Sequence, residues 1–95
     1  MGERESDFVW DPEKERLNIL KHGVNFREAE RAFEDPQRKI NVDSGHSRGE
    51  PRFFCYGRVG RGILTVRFTY RDGKIRIIGA GFWRKGRERY EEEKK

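Results

Sequence analysis

The sequence predicts an α+β fold: two N-terminal helices packed on one face of an antiparallel sheet of three to five strands, then a short C-terminal helix. Three observations carry this. Apolar residues recur at helical spacing in the first third of the chain, in segments whose caps are written in the sequence. From Lys39 onward the apolar period changes to two, and Asp72-Gly73 joins two β-patterned runs as a tight hairpin would. At 95 residues the chain is one domain's length, 1–95, with the polar stretch 1–7 expected to be flexible.

The elements follow in order. Phe8-Val9-Trp10 suits a short first strand. Asp11 is a ready N-cap, Pro12 fits the first helical position, and Gly23 can take the left-handed conformation that ends a helix. Leu17, Ile19 and Leu20 supply this helix with an apolar stripe, and Lys21 and His22 fall in its last turn, where cations complement exposed carbonyls. Asn25 caps the second helix with Glu28 as its capping-box partner, and Val24 and Ala29 are spaced for a hydrophobic staple. Asp35-Pro36 ends it. Residues 39–42 form a possible strand, 43–51 a polar loop, and 52–59, 63–70 and 74–82 three stronger strands. Residues 84–95 can form a last helix, weakened by Gly86.

Hairpin pairing sorts side chains by face. With Asp72-Gly73 as one loop, Arg71 opposes Lys74 and Arg67 opposes Ile78; with Arg61-Gly62 as the other, Tyr56 opposes Arg67 and Arg52 opposes Arg71. One face collects Phe53, Cys55, Val59, Leu64, Val66, Phe68, Tyr70, Ile75 and Ile77, a core for the helices to cover. The other collects Arg52, Phe54, Tyr56, Arg58, Thr65, Arg67, Thr69, Arg71, Arg76 and Ile78. Like charges so close repel, so five arginines beside two aromatics suggest an anionic partner. Guanidinium forks grip phosphates and aromatic rings stack on unpaired bases. The plainer reading is arginines lying over exposed apolar surface.

Charge distribution agrees. Residues 1–45 carry 8 Lys/Arg against 11 Asp/Glu, and residues 46–89 carry 12 against 3. A basic and aromatic segment points to nucleic acid before membrane. No apolar run is long enough to span a bilayer. Cys55, the one cysteine, can form no internal disulfide, so a cytoplasmic setting is expected. Its place on the core face favours a buried, inert thiol. His22, His46 and Cys55 lack metal-ligand spacing, so neither metal nor cofactor is expected. The run from Gly57 to Gly62 is neither a dinucleotide fingerprint nor a P-loop.

Trp10-Asp11-Pro12, Asn18, Lys21-His22-Gly23-Val24, Phe26 and Glu28-Ala29, with "GEPRF" and the closing "IRIIGAGFWRKGRERYEE", resemble the BrnT toxin family over residues 8–92. That family is similar to RelE-type toxins, small α/β ribonucleases with an open antiparallel sheet. The resemblance implies an RNA substrate and a ribbon-helix-helix antitoxin (BrnA-like) that neutralises the toxin, with DNA met only through that partner. A homodimer within the complex is compatible with it. One departure stands out: many members carry Ser-Ala-Arg where this chain has Gly79-Ala80-Gly81, which removes an arginine and a hydroxyl from the site's edge. Arg84 or Lys85 is the nearest substitute.

The chemistry implied is metal-independent attack of the RNA 2′-OH on the adjacent phosphate, which needs proton handlers and cations. Arg67 and Arg76 are the expected central cations, and Lys21, His22 and Tyr56 the proton handlers. Arg52, Arg58, Arg71, Phe54 and Arg84 are the expected RNA- and phosphate-binding residues. The alternatives are a non-catalytic module that binds RNA through the same face, or a face used mainly for antitoxin contact.

Overall fold

The computed structural model describes residues 7–46, 49–60 and 62–92. Of the N-terminal stretch expected to be flexible, only Asp7 lies within them. The described residues form five strands, β1 (Phe8–Trp10), β2 (Lys39–Val42), β3 (Phe53–Val59), β4 (Gly62–Arg71) and β5 (Lys74–Gly81), in one sheet of order β1-β5-β4-β3-β2. Three helices accompany them: α1 (Pro12–His22), α2 (Phe26–Glu30), which tightens into a 3₁₀ turn at Arg31–Glu34, and α3 (Arg84–Glu91). None is long and apolar enough to cross a membrane.

Local chemistry accounts for the helix ends. Asp11 accepts the Glu13 amide at 2.9 Å, and Gly23 closes α1 at φ 69° while its N–H bonds to Ile19. Asn25 accepts the Glu28 amide at 2.7 Å. The β4–β5 hairpin turns at Asp72 (φ 55°) and Gly73 (φ 76°), the left-handed pair that such a turn requires.

The sheet is mixed, not antiparallel throughout. β1 runs parallel to β5, pairing Phe8 with Ile75 and Trp10 with Ile77. Hairpin loops set the direction of neighbours in sequence, but no turn links β1 to β5. The β3–β4 register also differs from expectation: Val59 pairs with Gly62 and Tyr56 with Thr65, so the strands slide by two residues. Gly60, at φ 38°, turns the chain one position early. A slide of two preserves parity, and every β3 side chain keeps its expected face. Between β4 and β5 a bulge pairs Phe68 with Ile77 but Arg67 with Gly79 rather than Ile78.

The helices divide between places instead of sharing one face. On the core face, α2 and its 3₁₀ extension bury Val24, Phe26, Ala29 and Ala32 against Cys55, Leu64, Val66, Phe68, Ile77 and Ala80. Gly57 permits this, since a Cβ there would lie 2.2 Å from the Ala32 carbonyl oxygen. Adjacent Tyr56 points the opposite way and meets α3 through Gly86. The third helix therefore covers part of the face expected to be open. α1 does neither: Leu17, Ile19 and Leu20 stay exposed, Leu20 by 70%, and the buried residue of this helix is Asn18. The stripe inferred from spacing is not what docks the helix.

Candidate functional site

The site begins at a gap in the sheet. β1 pairs with β5 only as far as Ile77, which leaves the outer edge of β5 open at Ala80. Asn18 closes it. Its Nδ2 donates to the Ala80 carbonyl at 2.9 Å and to the Val24 carbonyl at 3.0 Å, and its Oδ1 accepts the Ala80 amide at 3.1 Å. The side-chain amide thus continues the ladder where no strand remains. Glu15 ties the next turn by accepting the Phe26 amide at 2.9 Å. α1 is held at the sheet margin, with its C-terminal turn beside the face opposite the core.

That position brings Lys21 and His22 to Arg67. Together with Lys14, Leu17, Asn18, Ile78, Gly79 and Trp83 they line an open cavity of about 320 Å³. Lys14, Lys21 and Arg67 give it three fixed cations, and no carboxylate lies among the described lining residues. Trp83 forms its far wall, edge-to-face with the His22 ring at 5.0 Å and 87°. Gly81 makes room for the indole: a Cβ there would sit 2.5 Å from the Trp83 ring. Gly79 is not sterically required, because its Cβ would stand 3.5 Å from Asn18 Oδ1, an ordinary contact. Of the two glycines that depart from the pattern the resemblance implies, only Gly81 answers a packing need.

A second cavity, about 560 Å³, lies on the other side of Trp83 between α3 and the end of β2. Phe54, Tyr56 and Thr65 line it from the sheet, Lys85 and Arg89 from α3, and Asn41 and Asp43 from the β2 side. Tyr56 is only 5% exposed. Burial pushes its phenol above the ordinary value; Asp43 adds to the shift, while Arg89 and a hydrogen bond with Asn41 oppose it.

The remaining expected residues scatter. Arg76 pairs with Thr69 and shares a face with Arg67, but it does not line the His22 cavity. Arg71 is in an ion pair with Glu50 at 3.1 Å. Arg58 lies beyond α3 with its guanidinium over the Tyr90 ring, 5.8 Å from the centroid. Arg84 borders a third hollow with Arg87, Ile63 and Phe82. Arg52 precedes β3, where its carbonyl accepts the Asp43 amide at 2.8 Å. Cys55 is buried, and burial pushes its thiol up to about 12.

Sequence reasoning missed Trp83 and the docking role of Asn18. For Trp83 the signal was present. Gly81 and Trp83 are two apart at the end of a strand, so both point to one face, and the glycine leaves a space the ring fills. Asn18 carried no local signal, since its strand partner is 62 positions away.

Fold and site define a small α+β protein with adjoining basic and aromatic cavities on one sheet face. The chain belongs to the BrnT family: the family model described as "Ribonuclease toxin, BrnT, of type II toxin-antitoxin system" matches residues 10–86. No curated protein matches the chain. Membership carries a ribonuclease toxin's general character, with an RNA substrate and an antitoxin partner.

Proposed function

We propose that the chain is a metal-independent endoribonuclease toxin of RelE-like kinship whose reaction centre is the cavity bordered by Lys21, His22 and Arg67. The observation that carries this reading is their convergence on one cavity from two distant segments, α1 and β4. In it, the RNA 2′-OH attacks the adjacent phosphate, the P–O5′ bond breaks, and the products are a cyclic phosphate and a 5′-OH. Arg67 and Lys21 stabilise the charge that develops on the phosphoryl oxygens. His22 moves the proton, because an arginine stays protonated and makes a poor base. Arg76 contributes long-range positive charge from the same face. The buried Tyr56 phenol seats the nucleotide instead of exchanging protons. The partner in this reading is a ribbon-helix-helix antitoxin, through which alone the complex meets DNA. The homodimer is a proposal of the same kind, and action in the cytoplasm follows from the RNA target.

The indole over Gly81 favours a second reading, since it occupies the place where many family members carry arginine. The chain would then bind RNA or antitoxin without cutting. Expression in a bacterial host separates the two. A nuclease arrests growth and fragments cellular RNA, Arg67→Ala does neither, and a co-expressed antitoxin relieves the arrest. Absence of arrest in several hosts would count against the toxin reading.

A further inference from the structure

We infer that the cavity between α3 and the end of β2 holds the nucleobase next to the cleaved linkage, and that base preference is set there. The inference rests on the ribonuclease reading proposed above. Phe54 and Tyr56 stand nearly parallel in this cavity, with ring centroids 5.9 Å apart and planes inclined by 20°. Trp83 adds a third aromatic wall. Rings of this kind stack on unpaired bases whatever their identity.

Polar groups provide discrimination. Lys85 and Arg89 lean in from α3, and Thr65 lines the cavity from the sheet. The Thr65 hydroxyl is the unusual feature: the residue is 3% exposed, and its Oγ1 has no hydrogen-bond partner among the described residues. That hydroxyl lies beneath α3, where a Gly86 Cβ would come within 1.7 Å of it, so reading of the base edge falls to Lys85 and Arg89. Position completes the argument. Phe54 is the direct cross-strand partner of Arg67, and Trp83 borders both cavities. A phosphate held by Arg67 therefore leaves the neighbouring base within reach of Phe54.

Two measurements test this. Random-sequence RNA is cut by the wild type, Phe54→Ala, Lys85→Ala and Lys21→Ala, and the ends are sequenced. The half-buried Phe54 and exposed Lys85 can be truncated without emptying the core. The expected result is a base preference beside the cut that weakens about tenfold in Lys85→Ala, which loses a charged hydrogen-bonding group, and that also falls in Phe54→Ala, where the base is no longer held in place. Lys21→Ala lowers the rate and keeps the preference. A preference that survives both cavity truncations overturns the inference. Separately, AMP, CMP, GMP and UMP are titrated into the ¹⁵N-labelled protein in EDTA. Shifts at the Phe54, Thr65 and Lys85 amides and the Trp83 indole are expected; shifts only elsewhere, or none at millimolar nucleotide, overturn it. If the wild type cuts no RNA, the ribonuclease reading fails, and the titration alone decides the pocket.

Discussion

The side chain of Asn18 makes both backbone hydrogen bonds of Ala80, donating at 2.9 Å and accepting at 3.1 Å. One amide thereby substitutes for a missing strand and fixes a helix to the sheet. Lys21 and His22 follow it by three and four residues on α1, so the geometry of the proposed reaction centre depends on a residue without chemistry of its own. In Asn18→Ala the Ala80 amide and carbonyl lose their partners. At about 1–3 kcal/mol for each buried unsatisfied group, the expected loss is roughly 3 kcal/mol, read as a lower urea midpoint. Cleavage should fall as well, because α1 no longer holds its C-terminal turn against Arg67.

Gly86 is a packing residue. A Cβ at this position would stand 1.7 Å from Thr65 Oγ1 and 3.2 Å from the Tyr56 ring. Alanine should raise intrinsic helix propensity by about 1 kcal/mol. The collision outweighs that gain, and Gly86→Ala should be destabilised by about 1–3 kcal/mol. Thr65→Ala removes the nearest obstacle, so a double-mutant cycle read by urea unfolding should show the two substitutions coupled. Additive effects would mean that α3 does not rest on Thr65.

Tyr90 and Asp35 pin the last turn of α3. The Tyr90 hydroxyl donates to Asp35 Oδ2 at 2.6 Å, the same oxygen accepts the Arg58 amide at 2.7 Å, and Asp35 Oδ1 accepts the Gln37 amide at 2.8 Å. Burial pushes the Asp35 carboxyl upward, but these hydrogen bonds and the Arg58 charge outweigh it and hold it below its ordinary 3.8. Its contribution is thus present above pH 3.8 and is lost as pH falls through the lower folded value. Tyr90 behaves oppositely: the hydrogen bond to Asp35, then burial, raises it above 10.0, so its share is full below pH 10 and is lost as pH rises through the folded value. Urea midpoints of the wild type and Tyr90→Phe should differ by a constant amount between about pH 5 and 9 and converge at both extremes.

Much of the fold was legible because its signals are local. The Asp11 and Asn25 caps, the Gly23 stop and the Asp72-Gly73 turn each depend on residues within four positions, and all occur as expected. Face assignment survived a wrong register because a slide of two residues preserves alternation. The errors concern distant contacts. The direction of β1, the bulge at Ile78 and the burial of Asn18 depend on β5 or β4, and no periodicity within α1 distinguishes an edge helix from a core helix. The basic face was legible as a composition, but its division was not. α3 returns across it and rests on Tyr56 and Thr65, which leaves Arg58 on one side and Arg67 on the other. Gly86, taken from propensity as a weakness of the last helix, is what lets that helix approach.

Gly81 and Trp83 make a further test. Gly81→Arg installs the arginine that the family resemblance implies at this position, yet its Cβ would overlap the Trp83 ring. Alone it should cost about 1–3 kcal/mol and alter the tryptophan fluorescence. Combined with Trp83→Ala, the arginine should be accommodated and most of that loss recovered. If Gly81→Arg is neutral by itself, the indole does not fill this space in solution.

The most direct measurement is the rate of RNA cleavage in EDTA by the wild type, Arg67→Ala and His22→Ala. The wild type should cut and leave cyclic-phosphate and 5′-OH ends, and each variant should fall by about a hundredfold or more while remaining folded. Cleavage that requires added metal, or variants that cut at the wild-type rate, would contradict the assignment of the reaction to the Lys21–His22–Arg67 cavity.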